Sequence, residues 1–130
     1  MIVVDSSVWI AALRNQPTPA AMRLLDLSLH EPLLVGDLVM AKVPEGARDE
    51  PHAARIERNL RQHVVRSIVS PDIAVNAARN FRMMRARGFT VRKAIDLLIG
   101  TFCIEHGHRL LHDDRDYEPM ESQLGLMVVR

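Results

Sequence analysis

Asp96 stands inside a run that is apolar on almost every side. Val91, Ala94, Ile95, Leu97, Leu98, Ile99, Phe102, Cys103 and Ile104 surround it, so the stretch reads as a helix buried on most of its faces. A carboxylate in such a place costs on the order of several kcal/mol unless a cation answers it. No basic residue follows it at helical contact spacing. Arg92 and Lys93 precede it by four and three positions; either could supply the charge, and so could a bound metal ion. Downstream, Arg109-Leu110-Leu111 reads as a short strand that empties into His112-Asp113-Asp114-Arg115-Asp116. Ligand sites in open α/β sheets form just beyond the carboxyl ends of strands. One stretch thus combines a buried helical acid with an acidic strand end.

The rest of the chain supplies the sheet. Ile2-Val3-Val4 is too short for a helix and reads as a buried parallel strand closed by Asp5. A helix follows over Val8 to Leu13. Asp5 can cap it, but Ser6 and Ser7 can cap it equally well, which leaves Asp5 free for other work. Thr18 to Leu29 carries the apolar spacing of an amphipathic helix. Pro32 to Gly36 is a second strand, and Asp37 is expected to cap the helix after it. Pro44 should kink or break that helix near Val43. Glu50 to His63 reads as a helix with a basic stripe at Arg55, Arg58 and Arg61. Val64 to Val69 is a third strand. A helix runs from Pro71 to about Arg87 and stops at Gly88. Thr90 is expected to cap the buried helix, Gly107 to end it, and Met127 to Val129 to form a last strand. Short strands alternating with helices imply parallel strands joined by helical crossovers. The expected fold is a three-layer α/β/α sandwich with a mostly parallel central sheet, in one domain over residues 1–130.

Composition narrows the function classes. At 130 residues and 48% apolar the chain can build a core, and its net charge of +1 is not that of a polyelectrolyte. Any nucleic-acid contact must come from a local basic face. The single Cys103 excludes a disulfide framework and fits a reducing cytoplasm. No apolar run approaches the ~20 residues of a membrane span, and the start of the chain lacks the pattern of a signal peptide.

Asp5, Asp96 and Asp114 all have positional reasons to meet, with Asp116 as a fourth candidate. Carboxylates crowded in a cleft repel one another unless a cation neutralises them. Magnesium and similar hard ions bind through such oxygens, polarise a phosphoryl oxygen and activate water. The chemistry that follows is phosphodiester hydrolysis.

The segments MIVVDSSVWIAAL, GDLVMA and TVRKAIDLLIGTFCIEHGHRLLHDDRDY resemble the PIN-domain family, in particular the VapC toxins of bacterial toxin–antitoxin pairs. The resemblance covers essentially the whole chain. It implies that Asp5, Asp96 and Asp114 hold Mg2+ or Mn2+, with Asp116 as an accessory acid. It maps Ser6 onto the hydroxyl that supports water at the metal. The implied activity is endoribonuclease, with structured RNA such as transfer RNA as substrate class. A VapB-like antitoxin and a homodimer are the implied partners. Arg92 and Lys93, with Arg79, Arg82 and Arg85, could steer an RNA backbone toward the acids.

One position departs from the family pattern. Members usually carry a glutamate in a motif like LxxAEVLxG; this chain reads LVMAKVPEG, with Lys42 in that place. An ammonium there is expected to pair with Asp5 or Asp96, compete with the metal and weaken the nuclease. It could be an introduced inactivating change or a natural loss of activity, or Glu45 could substitute for the acid. The alternative function is an inactive PIN scaffold that binds RNA or antitoxin without cutting. A phosphatase or receiver domain fits poorly, because Ser7 stands where the phosphatase needs a second acid. His106, His108 and His112 lack the cysteine partners of a zinc site. His106 instead suits a helix C-terminus, and Phe81, Met83 and Met84 suit the core, a dimer contact or an antitoxin groove.

Overall fold

The computed structural model describes all 130 residues. Its centre is a four-stranded sheet in the order β3-β2-β1-β4, parallel throughout. The strands are β1 (Ile2–Val4), β2 (Leu33–Gly36), β3 (Val64–Arg66) and β4 (Arg109–Leu111). Every residue of β1 and β2 is buried, which requires cover on both faces of the sheet. The helices provide it: α1 (Ser6–Leu13), α2 (Pro19–Ser28), α3 (Asp37–Lys42), α4 (Glu50–Leu60), α5 (Pro71–Ala86), α6 (Ala94–His106) and α7 (Glu118–Leu124). The α/β/α sandwich with a parallel sheet is as the sequence implies.

Local chemistry explains most boundaries. Thr18 and Ser70 cap α2 and α5 through their hydroxyls, and each helix has proline in its first turn. Pro44 ends α3 as expected: the helix stops at Lys42 and tightens into a 3-10 turn over Val43–Gly46. Gly88 and Gly107 adopt positive φ just past α5 and α6, the conformation that terminates a helix at little cost.

Several expectations are corrected. Asp5, and neither serine, caps α1. Asp37 is the first residue of α3 and does not cap it. Its Oδ1 instead accepts from the amides of Leu38 and Ile68, each at 2.9 Å, and so ties β2 to the segment after β3. β3 ends at Arg66 rather than Val69. Met127 to Val129 forms one parallel bridge, Val128 to Leu110, in place of a full strand. Thr90 caps nothing, because residues 90–93 are not helical and α6 starts at Ala94 with Lys93 as its N-cap. Helix α7 was not foreseen; EPMESQL is short and has no apolar stripe.

The topology places the site. β1 has β2 on one side and β4 on the other, so the chain switches direction across the sheet at β1. A crevice opens at such a switch point, beyond the strand carboxyl ends. Asp5 follows β1 and Asp114 lies just after β4. Helix α6 closes the crevice from the side. Gly100 allows α7 to approach it, since a Cβ there would lie 2.2 Å from Met120 Cε.

Candidate active site

A cavity of about 410 Å³ lies at this crevice, and Asp5, Asp96 and Asp114 all line it. Ser6, Lys42 and Lys93 line it too. Arg92 does not. The acids foreseen from β1, α6 and the end of β4 therefore converge on one space.

Their environments differ. Asp5 is 2% exposed and both of its oxygens have donors. Its Oδ2 accepts from the Ser7 amide at 3.1 Å and the Ser7 hydroxyl at 2.6 Å, and its Oδ1 accepts from the Tyr117 hydroxyl at 2.7 Å. Asp96 is 5% exposed. Its Oδ1 lies 3.5 Å from the Tyr117 hydroxyl, while Oδ2 is buried with no hydrogen-bond partner. Burial raises the Asp96 pKa, the carboxylates of Asp5 and Asp114 raise it further, and it reaches about 7. Asp114 moves the other way. Burial alone would raise it, but the Lys93 ammonium and the Asp116 amide outweigh that and hold it below the usual carboxylate range.

Lys93 Nζ sits 2.6 Å from Asp114 Oδ2 and 3.9 Å from Asp96 Oδ2. This contact depends on the late start of α6. As the extended N-cap residue, Lys93 leaves the helix axis and reaches across to the loop after β4. Lys42 behaves differently from expectation. It forms no ion pair with Asp5 or Asp96, and its ammonium instead lies 3.9 Å from Glu45. Glu45 is absent from the acidic cavity and cannot replace the missing acid from where it stands.

Carboxylate oxygens of Asp96, Asp114 and Asp116 fall within 4.8 Å of one another. That group fits a hard divalent cation: all donors are oxygens, and one, Asp96 Oδ2, is buried without a partner. Asp5 borders the group with its lone pairs largely committed. No histidine belongs to it. His112 Nδ1 accepts from the Asp114 amide at 3.2 Å and its Nε2 faces Glu121 at 3.5 Å, so it supports the loop that carries Asp114. His106 Nδ1 meets the Phe102 carbonyl at the end of α6.

Tyr117 was missed from the sequence. It is fully buried, and its hydroxyl spans the acids of β1 and α6. Burial and the adjacent carboxylates push its pKa far up, so it stays a neutral donor. The available signal was the chain's lone tyrosine, closing an acidic strand end.

A buried acidic crevice at the switch point of a small parallel sheet is the arrangement of a PIN domain. The chain belongs to the PIN-domain family, whose model matches residues 2–121. It is similar to Ribonuclease VapC11 of Mycobacterium tuberculosis, at 29% identity over 125 residues, covering 91% of this chain and 90% of that protein. Among solved structures it resembles VapBC2 from Rickettsia felis bound to a promoter DNA fragment, with TM-score 0.77 and 13% identity over 99% of this chain and 98% of that one. It also resembles VapC20 of Mycobacterium tuberculosis, a sarcin–ricin loop cleaving toxin, with TM-score 0.69 and 18% identity over 100% and 99% of the two chains.

Proposed function

We propose that the chain is a VapC-type endoribonuclease toxin that hydrolyses a phosphodiester bond in structured RNA, transfer RNA being one such substrate. The observation that carries this is Asp96 Oδ2: a buried carboxylate oxygen with no hydrogen-bond partner, grouped with two further acids. The names of the relatives point the same way. Mg2+ or Mn2+ would be held by Asp96 and Asp114, with Asp116 and Asp5 beside them. When bound, such an ion supplies Lewis acidity to a phosphoryl oxygen and eases loss of a proton from water. The chain's own residues do the rest. Tyr117 and Ser7 hold Asp5 in a fixed rotamer at the cavity wall. Ser6 lines the same space. Lys93, half out in solvent, can turn from Asp114 to the phosphate, and Arg92 lies next to it on the outside.

The partners are proposed by the same likeness: a VapB-like antitoxin, and a second copy of the chain. No helix is long and apolar enough to cross a membrane.

Lys42 removes one acid from the family's usual set, and we read the nuclease as weakened rather than abolished. Support comes from the lysine's position: its ammonium is turned toward Glu45 and leaves the three-acid group intact. The test is cleavage of transfer RNA and ribosomal RNA by the wild type and by Lys42→Glu, with Mg2+ or Mn2+ and with chelator. Cleavage that needs the ion and rises in Lys42→Glu is expected. Intact RNA with Lys42→Glu under both ions would leave the inactive scaffold as the better description.

A further inference from the structure

Beside the acidic cavity lies a second recess of about 320 Å³. Ile10 and Lys42 line both, so the two adjoin along α1. Their chemistry is opposite. The first is walled by three carboxylates. The second has an apolar floor, including Leu13 and Ile56, beneath a rim that carries Arg14, Lys42 and His52 against the single acid Glu45.

The rim groups are available. Arg14 follows α1 as its C-cap, and its guanidinium lies beside Gly46, where a Cβ would be 3.4 Å away. It forms no ion pair. Lys42 has only the 3.9 Å contact to Glu45 and is half exposed. His52 Nδ1 accepts from the Arg48 amide at 3.1 Å. That bond leaves the ring proton on Nε2, as a donor free for another acceptor.

We propose that this recess binds the nucleotide next to the scissile phosphate, with its phosphate on the Arg14–Lys42–His52 rim and its base on the apolar floor. The inference rests on the ribonuclease reading above. Three features select this occupant. The rim offers a guanidinium, an ammonium and an imidazole N–H, the groups that pair with phosphate oxygens. The floor suits the face of a base. Because the recess adjoins the acidic cavity, a strand with one phosphate at the acids can pass its next nucleotide over Ile10 and Lys42 into this space. Lys42 then has a role other than inactivation: at the junction it holds the strand that the acids cut. The Lys42→Glu change should consequently raise kcat and also raise KM.

Binding can be read without turnover. A fluorescent single-stranded RNA of mixed sequence is titrated with protein in EDTA over a range of salt concentrations. Each lost phosphate contact on a single strand removes about 0.7 from the slope of log affinity against log salt. Arg14→Gln with Lys42→Met should therefore lose about 0.7, since both groups hold the same phosphate, and each single change should lose less than that. Arg14→Lys, which keeps the charge, should retain the wild-type slope. Arg109→Gln, at the opposite end of the sheet, should be neutral. A double variant with the wild-type slope overturns the recess and leaves that surface to a protein segment. A wild type that does not bind RNA overturns the ribonuclease reading together with it.

Discussion

The ammonium of Lys93 lies 2.6 Å from Asp114 Oδ2 and spans toward Asp96, 3.9 Å away. It thus sits against two of the three acids that could hold a divalent ion. The contact stabilises the acids in the absence of metal and opposes the metal's entry. Because the Lys93 side chain is 59% exposed, the pair is worth no more than about 1 kcal/mol. Lys93→Met should bind Mn2+ more tightly by up to about fivefold. The shift of melting temperature on adding Mn2+ should also grow. Calorimetric titration of both proteins checks this; an affinity that falls in the variant would make Lys93 a support for the metal instead of a rival.

Asp96 gives the protein a pH dependence. Its pKa rises from 3.8 to about 7 on folding, so the folded state holds a proton that the unfolded state has already lost. Stability is therefore lost as pH climbs from about 4 to about 7, and the penalty is complete above that. Asp96→Asn removes it. In chelator at pH 8 the variant should be more stable than the wild type by on the order of 3 kcal/mol, and near pH 4 the two should converge. Urea denaturation across this range reads the difference. Divalent ions should narrow the gap, because they supply the wild type with the charge it lacks.

The sheet and the acids were legible because their signals are local. Ile2-Val3-Val4 and Leu33-Leu34-Val35 can be little other than buried strands, and an acid directly after such a run is at a carboxyl end. Asp96 showed itself as a charge in an apolar helix. The contacts that organise the site were not legible, because they depend on where a helix starts. Reading α6 from Thr90 puts Arg92 and Lys93 within helical reach of Asp96, and Lys93 does come within 3.9 Å of it. Starting it at Ala94 makes Lys93 a cap residue and sends its side chain to Asp114, 21 positions away. The Tyr117 bond to Asp5 spans 112 positions, and no periodicity carries that. The family spacing puts Lys42 beside the acids, and it does line their cavity, but spacing does not fix which way the ammonium turns, and it turns to Glu45.

Tyr117→Phe isolates the hydroxyl, since the ring volume hardly changes. Asp5 Oδ1 would lose its 2.7 Å donor while remaining buried. The loss of a bond to a charged group costs about 1.5–3 kcal/mol. The urea midpoint should drop accordingly with an unchanged slope. A variant as stable as the wild type would mean that Asp5 finds another donor.

Gly36 tests the coupling between the sheet and the loop below the site. It ends β2, and a Cβ there would lie 2.4 Å from Ile68 Cγ1 and 2.7 Å from its Cδ1. Ile68 is 1% exposed, and its amide is held by Asp37, so neither its side chain nor its backbone can retreat freely. β-Branching leaves it few rotamers. Gly36→Ala should cost about 1–3 kcal/mol as an overpacked core does, although the backbone φ of −78° is ordinary for alanine. Gly36→Ala combined with Ile68→Val should recover part of the loss by freeing space at Cδ1. Denaturation of the single and double variants decides it: a single variant as stable as the wild type would show that the loop after β3 yields, and that Asp37 does not pin it.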